Sequence, residues 1–96
     1  MTAYWVNTFR SVSDPEALER YAALAGPAML AGGGTFLARG MPAAAFEHGI
    51  VERTTIIEFP SVAAAVATYE SEQYQRALAA LGDGAERDIR IVPAAP

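Results

Sequence analysis

The chain has 96 residues, 52% hydrophobic and 19% charged, with a net charge of −4 and no cysteine; this length suits one domain, 1–96, around a single core. All seven basic residues are Arg, none is Lys, and there is one His, which excludes a Schiff-base lysine, a cysteine nucleophile, a thiolate or His-rich metal centre and a disulfide. The acidic balance with scattered Arg argues against a nucleic-acid partner. With no signal-like N-terminus and no apolar run near the ~20 residues of a membrane span, a cytoplasmic chain without a membrane partner is expected.

Tyr4–Arg10 is rich in aromatic and β-branched residues and predicts a first strand. Asp14-Pro15-Glu16 then opens a helix: Asp14 caps free N–H groups, Pro15 fits the first helical position, and Glu16 favours the positive end of the dipole. Leu18, Tyr21, Ala22, Ala25, Ala28 and Met29 form its apolar stripe over Pro15–Leu30, with Pro27 expected to bend or end it. Gly32-Gly33-Gly34 stops the helix. The run lacks the Lys of a phosphate loop and lies after a helix rather than after a strand, so it reads as a C-cap.

Thr35–Arg39 predicts a second strand, Gly40–Val51 a loop, and Glu52–Phe59 a third strand. Ser61 caps a second helix with the stripe Val62, Ala65, Val66 and Tyr69. Ser71 followed by Glu72 is a second cap signal, so the helix should break near Ser71 before the stripe Tyr74, Ala77, Leu78 and Leu81. Gly82-Asp83-Gly84 ends it, Arg87–Val92 predicts a fourth strand, and Pro93–Pro96 is a tail.

The order βαββαβ is the ferredoxin-like α+β arrangement, with both helices on one face of a four-stranded antiparallel sheet. Period-two reading assigns Val6, Phe36, Ala38, Ile57, Phe59, Ile89 and Ile91 to the helix side. It leaves Trp5, Asn7, Phe9, Leu37, Arg39, Ile56, Glu58, Arg90 and Val92 on the open side. A bulge in the first strand would exchange its faces beyond that point, which bears most on Asn7 and Phe9. An open face this apolar needs a cover, and a second copy of the same sheet about a two-fold axis supplies one, so a homodimer is expected.

Ala3-Tyr4-Trp5-Val6, Asp14-Pro15-Glu16, Tyr21, Gly33-Gly34-Thr35-Phe36-Leu37-Ala38-Arg39-Gly40, Glu58-Phe59-Pro60-Ser61, Tyr69, Ser71 and Tyr74-Gln75 together resemble the DUF1330 family along nearly the whole chain. The resemblance implies a dimeric α/β barrel and no generally established reaction. The chain departs from the family's pattern at Met41, where a second Gly is usual, and in a first strand about one residue longer, which again points to a bulge. Cofactor-independent and haem-degrading monooxygenases of the same superfamily use an Asn on the first strand with a Trp and a His elsewhere. Asn7 matches that Asn, but the sole Trp is Trp5 and the second helix has no His, so the haem-degrading version does not fit.

The residues themselves mark Arg39, Glu58 and Arg90 as a constellation with one excess positive charge. It reads either as an ion-pair network across a dimer or as a clamp for a ligand carboxylate or enolate. Arg39, Trp5, Glu58, Tyr69 and Asn7 are the candidate ligand-binding residues, around the open face or under the Gly40–Val51 loop, and His48 beside Glu47 is the one candidate proton shuttle. No metal spacing and no cofactor motif is present. Two functions stay open: a small-molecule-binding barrel, whose catalytic form would be a cofactor-independent enzyme acting on an acidic or enolisable metabolite, or a non-catalytic structural and interaction module. Cavity volume separates them, since a ligand pocket needs roughly 300 Å³ or more.

Overall fold

The computed structural model describes residues 1–96. Its elements are β1 (Ala3–Val12), α1 (Pro15–Ala31), β2 (Thr35–Gly40), β3 (Thr54–Phe59), α2 (Val62–Glu70), α3 (Glu72–Leu81) and β4 (Ala85–Pro93). The four strands form one antiparallel sheet in the order β2-β3-β1-β4, and three helices cover one of its faces. No helix is long and apolar enough to cross a membrane.

Local chemistry accounts for the boundaries. The Ala17 N–H donates to Asp14 Oδ1 at 3.1 Å, with Pro15 and Glu16 in the first turn of α1. Pro27 does not end α1, which runs on to Ala31. Gly26, just before it, has no Cβ to meet the proline ring, which relieves the usual steric bar on helix at a pre-proline residue. The predicted break falls at Ser71, whose ψ of 148° is extended. Its hydroxyl donates to the Thr68 carbonyl at 2.7 Å and accepts from the Tyr74 N–H at 3.2 Å, so one side chain closes α2 and caps α3.

Strand register corrects several of the expected faces. Trp5 lies opposite Ile57 and Ile91, and Asn7 opposite Thr55 and Ile89, so these residues share the helix side. Ala3, Trp5, Asn7 and Phe9 are all buried there, while Val6 stands opposite Ile56 and Arg90 on the open side. The phase of β1 is thus the reverse of the period-two assignment. The driving force is area: an indole offers more apolar surface than Val6 and takes the better-covered face. The bulge in β1 exists but falls at Arg10, between Phe9 and Ser11, too late to alter Asn7 or Phe9.

A second bulge, in β2, departs from the simple alternation that the sequence predicts. Phe36 pairs with Ile57 and Ala38 with Ile56, which leaves Leu37 as the extra residue, half exposed. Beyond it the faces exchange: Ala38 moves to the open side and Arg39 to the helix side, opposite Thr55. The core is built between these faces. Trp5 touches Phe59, Tyr69 and Tyr74, with ring centroids 6.1, 5.8 and 5.3 Å away, and small residues such as Ala25, Ala28, Ala65 and Ala77 let the helices approach.

Candidate ligand-binding cleft

Beneath α1, toward the β2 edge of the sheet, a cleft of about 50 Å³ remains between the helix and strands β1, β2 and β3. Asn7, Phe9 and Thr55 form part of its floor, Tyr21, Ala25 and Met29 its roof, and Phe36 and Ile57 the side. Arg39 and Ala22, both exposed, stand at the mouth with the half-buried Arg53. The Arg39 guanidinium lies over the Phe36 ring, 4.4 Å from its centroid, a placement that exists only because the Leu37 bulge puts two residues three apart on one face. No acidic residue lines the cleft, so its ionic character is wholly cationic.

Asn7 is the residue that makes this cleft unusual. It is 4% exposed, and no donor of the chain reaches its Oδ1. A buried polar atom left without a partner costs about 1–3 kcal/mol, and Asn7 is the one side chain in the protein with such an atom. No cluster of three His, Asp or Glu side chains is placed to hold a metal ion.

Next to the cleft sits a polar cluster. The Tyr21 and Tyr74 hydroxyls lie 2.8 Å apart, and Arg87 Nη1 donates to both, at 2.9 and 3.3 Å. The Arg87 guanidinium also lies 4.8 Å from the Tyr21 ring centroid. Burial works against its charge, but the pull of the two tyrosine oxygens and their hydrogen bonds holds its pKa above the ordinary value. For Tyr74, burial pushes the phenol up, the neighbouring Tyr21 adds to this, and Arg87 opposes it only in part.

A family model described as a domain of unknown function (DUF1330) matches residues 2–95. The chain belongs to the DUF1330 family. No curated protein matches it. Among solved structures, a protein of unknown function from Rhodopseudomonas palustris is 20% identical, with a TM-score of 0.76 over 99% of this chain and 84% of that one. A dimeric ferredoxin-like protein of unknown function from Thermobifida fusca is 15% identical, with a TM-score of 0.68 over 98% and 92%. SnoaB, a cofactor-independent oxygenase from Streptomyces nogalater, is 14% identical, with a TM-score of 0.63 over 99% and 94%. These likenesses establish the ferredoxin-like α+β fold.

The expected site residues of this DUF1330 chain separate into four places. Asn7 and Trp5 meet Arg39 at the cleft, on the helix side rather than the open one. Tyr69 packs on Trp5 from the end of α2. Glu58 stays half-buried on the open face between Tyr4 and Thr35, without an ion pair. Arg39 therefore does not join Glu58 and Arg90. Arg90 instead holds Asp88 at 3.0 Å, and Arg10, freed by the β1 bulge, reaches the same carboxylate at 3.3 Å. His48 is exposed in the Gly40–Val51 loop, over a depression of about 350 Å³ shared with Thr8, Arg10 and Thr54, and does not line the Asn7 cleft. Glu47 beside it takes a φ of 55°, in the left-handed region.

Arg53, Thr55 and Arg87 are not among the sequence-based site candidates, and Tyr21 stands there only as a stripe and family residue. For Arg87 the signal was available: it lies in step with Ile89 and Ile91, so period two puts a charge on the core face. The pH dependence of stability follows from the raised Tyr74 pKa. The folded state holds this proton more tightly than the unfolded chain, so its contribution is complete below the ordinary tyrosine value of 10.0 and is lost as pH rises beyond it. Urea midpoints measured from pH 8 to 11 should fall at the alkaline end in the wild type. Tyr74→Phe should cost about 1 kcal/mol at neutral pH and show a shallower alkaline fall; an equally steep fall would assign the titration to another group.

Proposed function

We propose that this protein binds the hydroxyl end of a small enolic or phenolic molecule in the cleft beneath α1, as a ligand-binding barrel. The observation that carries this is the orphaned Asn7 Oδ1, a buried acceptor in a cleft whose only charges are those of Arg39 and Arg53. An enol or phenol keeps its proton and donates a hydrogen bond to such an acceptor, and the cationic mouth favours an electron-rich or anionic group elsewhere on the molecule. At about 50 Å³ the cleft takes a few heavy atoms rather than a whole ligand of the kind that fills roughly 300 Å³ or more. The body of the molecule then leans on Phe36 and Arg39 at the mouth. SnoaB, which shares the fold, is a cofactor-independent oxygenase; an enolisable substrate bound without a cofactor is consistent with a reaction of that class here.

Phenol and anisole separate the hydrogen bond from plain burial, because only phenol can donate to Asn7. Calorimetric titration should show phenol binding about tenfold more tightly, the order of one buried hydrogen bond. Asn7→Leu should erase that preference while raising the melting temperature, since it removes an unsatisfied polar group. A lower melting temperature in Asn7→Leu, or an unchanged phenol preference, would contradict this function.

We also infer that the barrel is a homodimer closed through the open sheet face. That face carries Tyr4, Val6, Ile56 and the exposed Val92, and no helix of the chain covers it. The unpaired Glu58 and the Arg10–Asp88–Arg90 cluster, with one excess positive charge, are complementary across a two-fold axis. The Thermobifida fusca protein of the same fold is dimeric. Ile56→Asp should weaken association by several kcal/mol, the scale of an unpaired buried charge, and light scattering should then report a monomer. A wild-type monomer at micromolar concentration would refute the dimer.

A further inference from the structure

The far side of the helical layer carries a second recess. Between α3 and β4 runs a groove of about 510 Å³, within the range of small-molecule sites. Leu78 and Leu81 of α3 form one wall, Ile89 and Ile91 of β4 the other, and Tyr69 closes one end. Arg87 is the only charged residue that lines it.

Arg87 is half-buried and takes part in none of the chain's ion pairs. Its Nη1 is occupied by the Tyr21 and Tyr74 hydroxyls, but Nη2 and Nε meet no acceptor of the chain. That pair of nitrogens is the edge of a guanidinium that takes a carboxylate bidentately. The tyrosines do not neutralise the charge. One hydroxyl donates to the other, so the second proton also lacks an acceptor, and the whole cluster has more donors than acceptors. A fixed cation with spare donors, set in an otherwise apolar groove, is complementary to an anion with a hydrocarbon body.

We propose that the groove between α3 and β4 binds a small amphipathic carboxylate, its anion held by Arg87 and its apolar tail laid between Leu78, Leu81, Ile89 and Ile91. The tyrosine pair orients the guanidinium by fixing Nη1, so that the opposite edge is left for the ligand. The groove and the cleft beneath α1 have no lining residue in common: Tyr21 lines the cleft and Arg87 the groove, and the two meet at the hydroxyl cluster and where the Arg87 guanidinium lies over the Tyr21 and Phe9 rings. The groove lies on the helix side of the sheet, so a second copy packed on the open face leaves it free.

Octanoate and octan-1-ol, alike in tail but not in charge, test the assignment by calorimetric titration of the intact protein. Octanoate should bind at least about tenfold more tightly than octanol, and Arg87→Gln should remove the difference, as expected for loss of a charge-assisted pair. Methyl and amide NMR of the wild type with octanoate gives the location without any variant: shifts should centre on Leu78, Ile89 and Ile91. Asn7→Leu should bind octanoate as the wild type does, so failure of the cleft reading and failure of this one are distinguishable. Equal binding of octanoate and octanol would overturn the proposal, as would shifts centred on Met29 and Thr55. Octanoate binding that weakens as protein concentration rises would instead assign the groove to a second copy of the chain.

Discussion

Burial of Trp5 is the constraint on which the rest of the structure depends. The indole sits at the centre of the aromatic cluster, with Phe59, Tyr69 and Tyr74 around it, and is 1% exposed. A strand repeats every two residues, so fixing Trp5 toward the helices fixes Asn7 and Phe9 there as well. Asn7 is thereby carried into the core face at a point where no donor of the chain meets its Oδ1. A hydrophobic requirement at one position thus creates an unsatisfied polar group two residues later. Retaining that group costs stability, and a site that uses it for a ligand gives the cost a physical purpose.

Two bulges then divide the sheet's charges between its faces. The Leu37 bulge turns Arg39 to the helix side, where it stacks on Phe36 at the cleft mouth, and the Arg10 bulge frees a second guanidinium to meet Asp88 on the open side. On the helix side the guanidinium groups of Arg39, Arg53 and Arg87 form no ion pair, whereas the open side holds the Arg10–Asp88–Arg90 cluster and, apart from it, the unpaired Glu58. The first set is suited to anionic or acidic ligands. The second is balanced in formal charge, which suits the proposed packing of this face on its own copy.

Much of the fold was legible because its signals are local. Asp14-Pro15-Glu16, Ser61 and Ser71 mark helix starts through their own hydroxyl and carboxylate chemistry, and all three caps are present. The strand order follows from the ferredoxin-like pattern of elements. The candidate site was less legible, since its geometry depends on sheet phase and register. In β1 both alternations are apolar, Tyr4 and Val6 on one side and Trp5 and Phe9 on the other, so periodicity alone does not choose between them. The Leu37 bulge carries no Gly or Pro to announce it, and a one-residue shift moves Arg39 from one face to the other. Composition thus marks Asn7, Arg39 and Trp5 as site residues, whereas only register places them on the helix side.

The side-chain amide of Asn7 reports most directly on the central claim, that a buried carboxamide beneath α1 is the group a ligand meets. In NMR spectra of the 15N-labelled protein titrated with phenol, its amide resonances should shift most, together with backbone signals of Thr55 and Tyr21, and saturate on one binding curve. Shifts confined to Val6, Ile56 and Val92 on the open face, or to His48 and its loop, with the Asn7 amide unmoved, would contradict the account.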